Sequence, residues 1–261
     1  MGSALIGQTG FVGGNIALSH RFDACFNTSN LAELAGRRFD LVVCAAGRAD
    51  AYRINQAGEA DRAELARLVD SLSKTQIGRL VLISTVCVYP SGSPDETAPL
   101  SPAGLRPYGA NRLWLERELG RRFETLVVRL PQLYGARLRK GVVFDLLGRR
   151  RIEHIDPDGR FQLYGLSRLW ADIETALAAG WDSLNAATPP LRNGDVARAV
   201  FGLDIEGQKP AAGEPPWYSR DMRTAHAAGF GGPAGYLMTA EQSLAALRDY
   251  ATAAGGELAG S

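Results

Sequence analysis

Tyr108 and Arg112, four residues apart at the start of a helical pattern, have the types and spacing that acid–base chemistry needs. On a helix this spacing puts both side chains on one face, so a phenol and a permanent cation can enter the same cleft. A fixed positive charge favours the phenolate, which suits a proton donor or acceptor near neutral pH. The hydroxyl of Thr85 can complete a hydrogen bond to a carbonyl or an alcohol. These three residues predict a proton-transfer site.

Three spaced glycines, Gly7, Gly10 and Gly13, lie between a short apolar run and a helical pattern. Glycines there allow a tight turn and a close approach of backbone to a pyrophosphate, and the helix N-terminus adds partial positive charge. A plain glycine-rich loop between a strand and a helix would show the same residues. The position at the start of an alternating α/β chain favours a dinucleotide-binding turn.

Neutral side chains occupy the segment about twenty residues further on, where NAD-binding proteins have an acidic residue for the ribose 2′-hydroxyl. The segment reads Phe26-Asn27-Thr28-Ser29-Asn30, and two arginines follow shortly after it. A carboxylate would repel the 2′-phosphate of NADP, so its absence favours NADP. Alternatively, Ser29 or Asn30 caps a helix over residues 31–35. We predict NAD(P) as the cofactor, with a preference for NADP.

The first 135 residues must supply the elements that position these side chains. Short apolar runs alternate there with helical patterns, which predicts βαβ units and a parallel sheet. Right-handed crossovers then favour a doubly wound, Rossmann-type α/β fold. Thr85 leaves the fourth run at its carboxyl end, where such sheets bind ligands. The predicted strands cover residues 4–6, 24–26, 41–44, 80–83 and 125–130.

The remainder, residues 136–261, is predicted to form mainly a small substrate-binding lobe, with some elements returning to the NAD(P)-binding core of residues 1–135. Ser167 is expected to cap a helix, and a Gly- and Pro-rich segment around Trp217 is expected to form an exposed loop. A last helix opens with a capping box from Thr239 to Gln242.

The composition excludes several classes of protein. The formal charge is +1, from 29 Lys and Arg against 28 Asp and Glu, which argues against nucleic-acid binding through phosphate neutralisation. The cysteines and histidines, three of each, are scattered without metal-ligand spacing. We therefore expect a cytoplasmic protein with reduced thiols, no metal site and no membrane or nucleic-acid partner.

Five segments together resemble the extended short-chain dehydrogenase/reductase family, which comprises NAD-dependent epimerases, dehydratases and nucleotide-sugar reductases. The resemblance covers nearly the whole chain. It implies an NAD(P)-dependent oxidoreductase or epimerase acting on a nucleotide-activated sugar, and it implies a homodimer formed through helices of the Rossmann core. The segments are residues 7–13, Ala45-Ala46, Ser84-Thr85 with Val88-Tyr89, Tyr108-Gly-x-x-basic, and residues 129–135, with weaker similarity from Tyr218 to Tyr250.

The resemblance also implies roles for individual residues. Tyr108 corresponds to the catalytic acid/base, Thr85 to the catalytic Ser/Thr, and Arg112 to the basic residue that holds the cofactor. Gln132 falls at a substrate-contacting position, although a polar loop residue would look the same. The residues expected to contact the cofactor are Gly7, Gln8, Thr9, Gly10, Phe11, Val12, Gly13, Asn27, Ser29, Ala45, Ala46, Gly47, Tyr108, Arg112, Leu130 and Pro131.

Val86 and Cys87 depart from the pattern of the family's 4,6-dehydratases, where two acidic residues follow the catalytic Ser/Thr. Dehydration by that mechanism is therefore not expected. Cys87 matches the catalytic cysteine of GDP-fucose synthase, and a thiol there can protonate a carbanion beside a keto group. The alternative is a small, buried, structural side chain.

Two further departures affect proton transfer. Asp61 falls near the position of the family's helix asparagine, and Arg112 replaces the family's lysine, keeping the charge without being able to release a proton. Only three of the 29 basic residues are lysines, so the chain's arginine bias accounts for part of this replacement. A non-catalytic NAD(P)-binding redox sensor or scaffold is the alternative function.

Basic residues after the Tyr134-Gly135 turn, Arg137, Arg139 and Lys140, lie where family members hold the diphosphate of the nucleotide sugar. Guanidinium groups suit phosphate oxygens, and Arg139 is the predicted substrate contact. Solvated surface charge is the alternative for each of them.

Overall fold

The computed structural model describes residues 2–208 and 220–259 and divides the chain into two compact units. Unit 1 comprises Met1–Pro90, Glu96–Leu130 and Ser167–Asn185. Unit 2 comprises Ser91–Asp95, Pro131–Leu166 and Ala186–Ser261. The sequence-based boundary at residue 135 stays a prediction. Trp217 and Tyr218 lie outside the described residues.

A six-stranded parallel sheet forms the centre of unit 1, which confirms the predicted Rossmann-type α/β fold. Its order is β2-β1-β3-β4-β5-β8. The strand order reverses between β1 and β3, so the carboxyl ends of these two strands open a crevice of the kind in which such sheets bind ligands. The strands are β1 Ser3–Ile6, β2 Ala24–Phe26, β3 Arg38–Cys44, β4 Gln76–Thr85, β5 Thr125–Leu130 and β8 Ser183–Asn185.

Five helices flank this sheet, with α3 packed on α4 and α1 on α6. An apolar core of side chains from β1, β3, β4, α3 and α4, including Val42, Leu68, Leu80 and Leu119, fixes the α3–α4 layer against the strands. This packing brings the start of α4 to the carboxyl end of β4. The helices are α1 Phe11–Ser19, α2 Ala51–Gln56, α3 Gly58–Ser73, α4 Pro107–Gly120 and α6 Leu169–Ala178.

Unit 2 contains a three-stranded sheet in the order β6-β7-β9 and has its own apolar core, which includes Tyr134, Leu163 and Leu247. The capping box at the start of its last helix is confirmed, because the Thr239 and Gln242 side chains each accept a hydrogen bond from the other residue's backbone N–H. The elements are β6 Gln132–Tyr134, α5 Val142–Leu147, β7 Arg160–Gly165, β9 Pro190–Arg192, α7 Asn193–Phe201 and α8 Ala240–Ala259.

The expected Ser167 cap is wrong. A 3-10 turn over Leu166–Arg168 precedes α6, so Arg168 is the residue flanking the helix, and it makes no side-chain cap. Across residues 2–208 and 220–259, no helix has the length and apolar content needed to cross a membrane.

Candidate active site

The glycine turn joins β1 to α1 and is closed by backbone contacts that leave no room for side chains. Gly7 has φ +95°, and a Cβ there would lie 2.7 Å from the carbonyl oxygen of Ala45. A Cβ on Gly13 would overlap the Gly7 carbonyl oxygen. The Gly10 N–H donates to that same oxygen at 2.9 Å. Glycine is therefore required at both positions by close packing, and at position 7 also by the dihedral angle.

The start of α1 suits a pyrophosphate. Gly10 precedes the helix without a side-chain cap, and the first turn, which includes Phe11 and Val12, has no acidic residue. The first N–H groups of a helix lack intrahelical partners and carry the positive end of its dipole. Gln8 and Thr9 lie in the same turn, so residues 7–13 fit the phosphates of a dinucleotide.

Ala45, Ala46 and Gly47 connect the glycine turn to the predicted catalytic residues. The Ala45 N–H donates to the carbonyl oxygen of Ile6 at 2.9 Å, which places the end of β3 beside the end of β1. Gly47 has φ +112°, and a Cβ on it would contact the Arg112 guanidinium at 3.6 Å. The predicted cofactor segment and Arg112 are therefore neighbours in unit 1.

The segment after β2 is held by hydrogen bonds among its own residues. The Asn27 side-chain oxygen accepts hydrogen bonds from the backbone N–H and the hydroxyl of Ser29, at 2.8 and 2.6 Å. The Asn30 side chain accepts a hydrogen bond from the Asn27 N–H and donates one to the Cys25 carbonyl oxygen. It makes no side-chain cap of the following 3-10 turn, Leu31–Leu34, so the alternative that Asn30 is a helix cap is not supported. The Arg37 guanidinium lies over the rings of two phenylalanines, Phe26 at 5.3 Å and Phe39 at 4.9 Å.

Tyr108 is placed by the start of α4. Pro107 occupies the first turn, where its missing N–H costs nothing, and the Tyr108 N–H donates to the side-chain oxygen of Asn55 in α2 at 3.0 Å. Gly109 lets the helix approach the loop after β4, because a Cβ there would overlap the carbonyl oxygen of Cys87. A side chain at position 109 would thus push Tyr108 away from β4.

The Tyr108 hydroxyl is close enough to the Thr85 and Arg112 side chains for both to favour its charged form. Burial raises the pKa of Tyr108, while the Arg112 charge and the Thr85 hydrogen bond lower it and the neighbouring Cys87 thiol raises it further. The net shift is upward from about 10, so the phenol keeps its proton at neutral pH. This outcome differs from the sequence-based expectation of a favoured phenolate, because loss of water around the hydroxyl outweighs the guanidinium.

Arg112 does not act as an isolated cation. Its guanidinium donates to both carboxylate oxygens of Asp61, at 2.9 and 3.1 Å, and to the carbonyl oxygen of Arg48 at 2.6 Å. The guanidinium carbon lies 4.7 Å from the centre of the Tyr108 ring. The two departures from the family pattern are thus partners in one buried ion pair.

The structure places the remaining predicted residues in different units. Leu130 ends β5 and pairs with Thr85 of β4, so it lies beside the threonine that is predicted to be catalytic. Pro131 and Gln132 follow in unit 2, where Gln132 pairs with Leu163 of β7. Arg139, also in unit 2, is exposed, as are Arg137 and Lys140.

A second buried ion pair on α4, between Glu116 and Arg129, was not predicted from the sequence. Glu116 accepts from Arg129 of β5 at 2.9 Å and from the Ser84 hydroxyl, and Arg129 also donates to the Tyr89 hydroxyl at 2.8 Å. Only the buried strand position of Arg129 could have indicated a charged partner. Asn55 gave no signal, because its contact with Tyr108 spans 53 residues.

Among the residues that the structure describes, no group of three or more His, Cys, Asp or Glu side chains could hold a metal ion. The residues brought together in unit 1 are Gly7, Gly13, Ala45, Gly47, Asp61, Thr85, Cys87, Tyr108, Arg112 and Leu130.

The model of the NAD dependent epimerase/dehydratase family matches residues 20–154, more than half of the chain. The protein therefore belongs to this family. None of the curated proteins matches the sequence.

Three solved structures similar to this chain illustrate the range of the fold. An NAD-dependent NDP-hexosamine 5,6-dehydratase, TunA, aligns with TM-score 0.72 and 18% identity, covering 97% of this chain and 98% of its own. A dTDP-4-dehydrorhamnose reductase from Bacillus anthracis str. Ames, in complex with NADP, aligns with TM-score 0.68 and 16% identity, covering 94% and 97%. A UDP-N-acetylglucosamine 4-epimerase from Methanobrevibacter ruminantium M1 aligns with TM-score 0.68 and 11% identity, covering 96% and 97%.

Proposed function

We propose that this protein is an NAD(P)-dependent reductase or epimerase of nucleotide-activated sugars, with Tyr108 as the proton donor or acceptor. The observation that carries the proposal is the cluster of Thr85, Tyr108 and Arg112 at the carboxyl end of β4, where the Arg112 guanidinium carbon lies 4.7 Å from the centre of the Tyr108 ring. The similar structures of a dehydratase, a reductase and an epimerase share this fold and support a sugar-nucleotide substrate. Val86 and Cys87 in place of an acidic pair argue against 4,6-dehydration.

The cofactor would lie along the carboxyl ends of β1 and β3. Residues 7–13 would hold its pyrophosphate, and Ala45, Ala46 and Gly47 would border it. Arg112 and Leu130 would lie against the nicotinamide half of the cofactor. The nicotinamide, when the cofactor is bound, would supply or accept the hydride. Asn27 and Ser29 would provide neutral polar groups near the 2′ position. Arg37, whose guanidinium lies over the ring of the neighbouring Phe26, supports a preference for NADP.

Proton transfer in the reductive direction follows from the protonation of Tyr108. The carbonyl carbon of the sugar would gain a hydride, and its oxygen would gain the proton as the O–H bond of Tyr108 breaks. The product is an alcohol with oxidised cofactor, and solvent returns a proton to the phenolate. Thr85 would orient the carbonyl oxygen. Gln132 and Arg139 of unit 2 are proposed contacts for the substrate.

Absorbance of reduced nicotinamide distinguishes the two enzymatic forms of the proposal. The reductase assay uses NADPH or NADH with dTDP-4-dehydrorhamnose. The epimerase assay uses the cofactor with UDP-galactose or UDP-N-acetylglucosamine. Net consumption with the keto sugar indicates a reductase. Interconversion of sugars by chromatography, without net change in absorbance, indicates an epimerase. Mass spectrometry of copurifying nucleotides identifies the cofactor.

Tyr108→Phe distinguishes a catalytic from a non-catalytic NAD(P)-binding protein. The variant keeps the ring against Arg112 and removes the transferable proton, so cofactor affinity is expected to persist while kcat falls by about 10²- to 10⁴-fold. Fluorescence titration with NADPH measures binding. Unchanged turnover in the variant would contradict the catalytic role and leave only the binding function.

A further inference from the structure

Asp61 and Arg112 form a buried ion pair, and the proposed function gives Asp61 no role. They are 51 residues apart, on α3 and α4, and are 5% and 4% exposed. Two parallel hydrogen bonds join the carboxylate to the guanidinium, and Asn111 donates a further hydrogen bond to Asp61 at 2.9 Å. A buried bidentate pair has little rotational freedom, so Arg112 can hold only one position.

The carboxylate changes what Arg112 does to Tyr108. Alone, a buried guanidinium 4.7 Å from the ring would strongly favour the phenolate. The adjacent carboxylate carries the opposite charge, so the pair together is neutral and its field at the phenol is weaker than that of the guanidinium alone. Arg112 therefore still contacts the Tyr108 ring, but it favours the phenolate less than it would without the Asp61 carboxylate.

Among the residues that the structure describes, Arg112 and Cys87 are the main groups that act on Tyr108 through their charge. Cys87, after β4, is close to Tyr108, and the Thr85 side chain of β4 favours the charged form of the phenol. On the remaining elements packed against α4, Arg129 of β5 is paired with Glu116 of α4 itself, and Arg79 of β4 binds Glu124. The other charged side chains on α2 and α3 are exposed or half-buried, namely Arg53, Glu59, Arg62, Glu64, Arg67 and Asp70.

We propose that Asp61 is a positioning residue for Tyr108. It holds the Arg112 guanidinium against the tyrosine ring and cancels its charge, so that the phenol keeps its proton and donates it to a substrate carbonyl. The inference rests on the proposed function and assigns it to the reductive direction. It also explains two departures from the family pattern as one coupled replacement, an Asp–Arg pair in place of asparagine and lysine.

Four proteins test the charge balance without any substrate: the wild type, Asp61→Asn, Arg112→Lys and the double variant. The pair is neutral in the first and third and carries +1 in the second and fourth. The pKa of Tyr108 is therefore expected to fall by about 1 in Asp61→Asn and in the double variant, and to stay near the wild-type value in Arg112→Lys. Carbon NMR of labelled tyrosine, assigned with Tyr108→Phe, measures it.

Asp172→Asn is the matched control. Asp172 of α6 is also buried, and both of its carboxylate oxygens accept hydrogen bonds from Arg168, the residue that flanks this helix. α6 packs on α1 and β5. This variant is expected to leave the Tyr108 titration unchanged. The double variant keeps the test available if Asp61→Asn alone does not fold. An unchanged pKa of Tyr108 in every folded variant that lacks Asp61 would overturn the proposal.

Turnover supplies the second measurement. With NADPH and dTDP-4-dehydrorhamnose, loss of the Asp61 charge is expected to move the alkaline limb of the kcat/KM profile to lower pH by the same amount as the titration. A limb that stays in place while the titration moves would contradict the role in proton donation. A wild type that binds NADPH but reduces no nucleotide sugar would contradict the proposed function instead, and the titration would still decide whether Asp61 sets the charge at Tyr108.

Discussion

At the scale of single residues, the protonation of Tyr108 is a balance of opposing effects. Burial raises its pKa, whereas Arg112 and the Thr85 hydrogen bond lower it. A group with a raised pKa is protonated below that value and loses its proton as the pH rises through it. Reduction that depends on the phenol should therefore be constant through neutral pH and decline in the alkaline range.

Thr85→Val tests the share of the Thr85 hydroxyl in this balance. Removing a hydrogen bond to the phenolate disfavours the charged form, so the alkaline limb of kcat/KM is expected to move to higher pH. Loss of the hydrogen bond to the substrate oxygen should also lower kcat by about 100-fold. Initial rates of NADPH oxidation across pH measure both effects.

Thr85→Ser is the matched control, because it keeps the hydroxyl and removes only a methyl group. It should retain most of the activity and the wild-type pH profile. Equal activity in the valine and serine variants would show that the hydroxyl takes no part in the reaction.

Residue types could be predicted from the sequence, but their partners could not. The spacing of Tyr108 and Arg112, and the position of Thr85 at a strand end, indicated a common cleft. The pairing of Asp61 with Arg112 was not foreseen, because it depends on how α3 packs against α4. The direction of the Tyr108 pKa shift was also missed, since burial at one atom is a property of the folded surroundings.

At the scale of elements, α4 carries three functional side chains at successive four-residue intervals. Tyr108 meets Thr85, Arg112 meets Asp61, and Glu116 meets Arg129. The helix is thus fixed along its length by polar contacts to β4, α3 and β5. The last of these contacts lies furthest from the proposed chemistry, so it allows stability to be tested separately from catalysis.

Glu116→Gln is expected to destabilise the protein by about 3–5 kcal/mol, because it leaves the Arg129 guanidinium buried without an opposite charge. Glu118→Gln, on the same helix, is the control. Glu118 is half-buried and pairs with the exposed side chains of Arg121 and Arg122, and pairs with solvent-exposed partners contribute about 1 kcal/mol or less. Urea unfolding measures both variants, and equal midpoints would contradict a structural role for the buried pair.

At the scale of the whole molecule, the sequence indicated the sheet of unit 1 better than the elements of unit 2. Five of its six strands were expected, since consecutive apolar residues are typical of strands covered on both faces. β8 and the sheet of β6, β7 and β9 were not predicted. β6, β8 and β9 have three residues each, which is too few positions for periodicity alone to separate them from loops. β2 is equally short, but it lies within the regular alternation of apolar runs and helical patterns in the first 135 residues.

Cofactor binding should appear in the stability of the molecule through the glycine turn. A ligand that binds only the folded state stabilises it, by about 2.7 kcal/mol at 100 times its Kd. NADPH is therefore expected to raise the urea midpoint of the wild type and to slow hydrogen exchange at residues 7–14. Gly13→Ala should abolish both effects, because its methyl group overlaps the Gly7 carbonyl oxygen and opens the turn.

Gly120→Ala is the control, since nothing lies within 4 Å of a Cβ there, and it should respond to NADPH as the wild type does. A Gly13→Ala protein that folds and is still stabilised by NADPH would place the dinucleotide elsewhere than on α1.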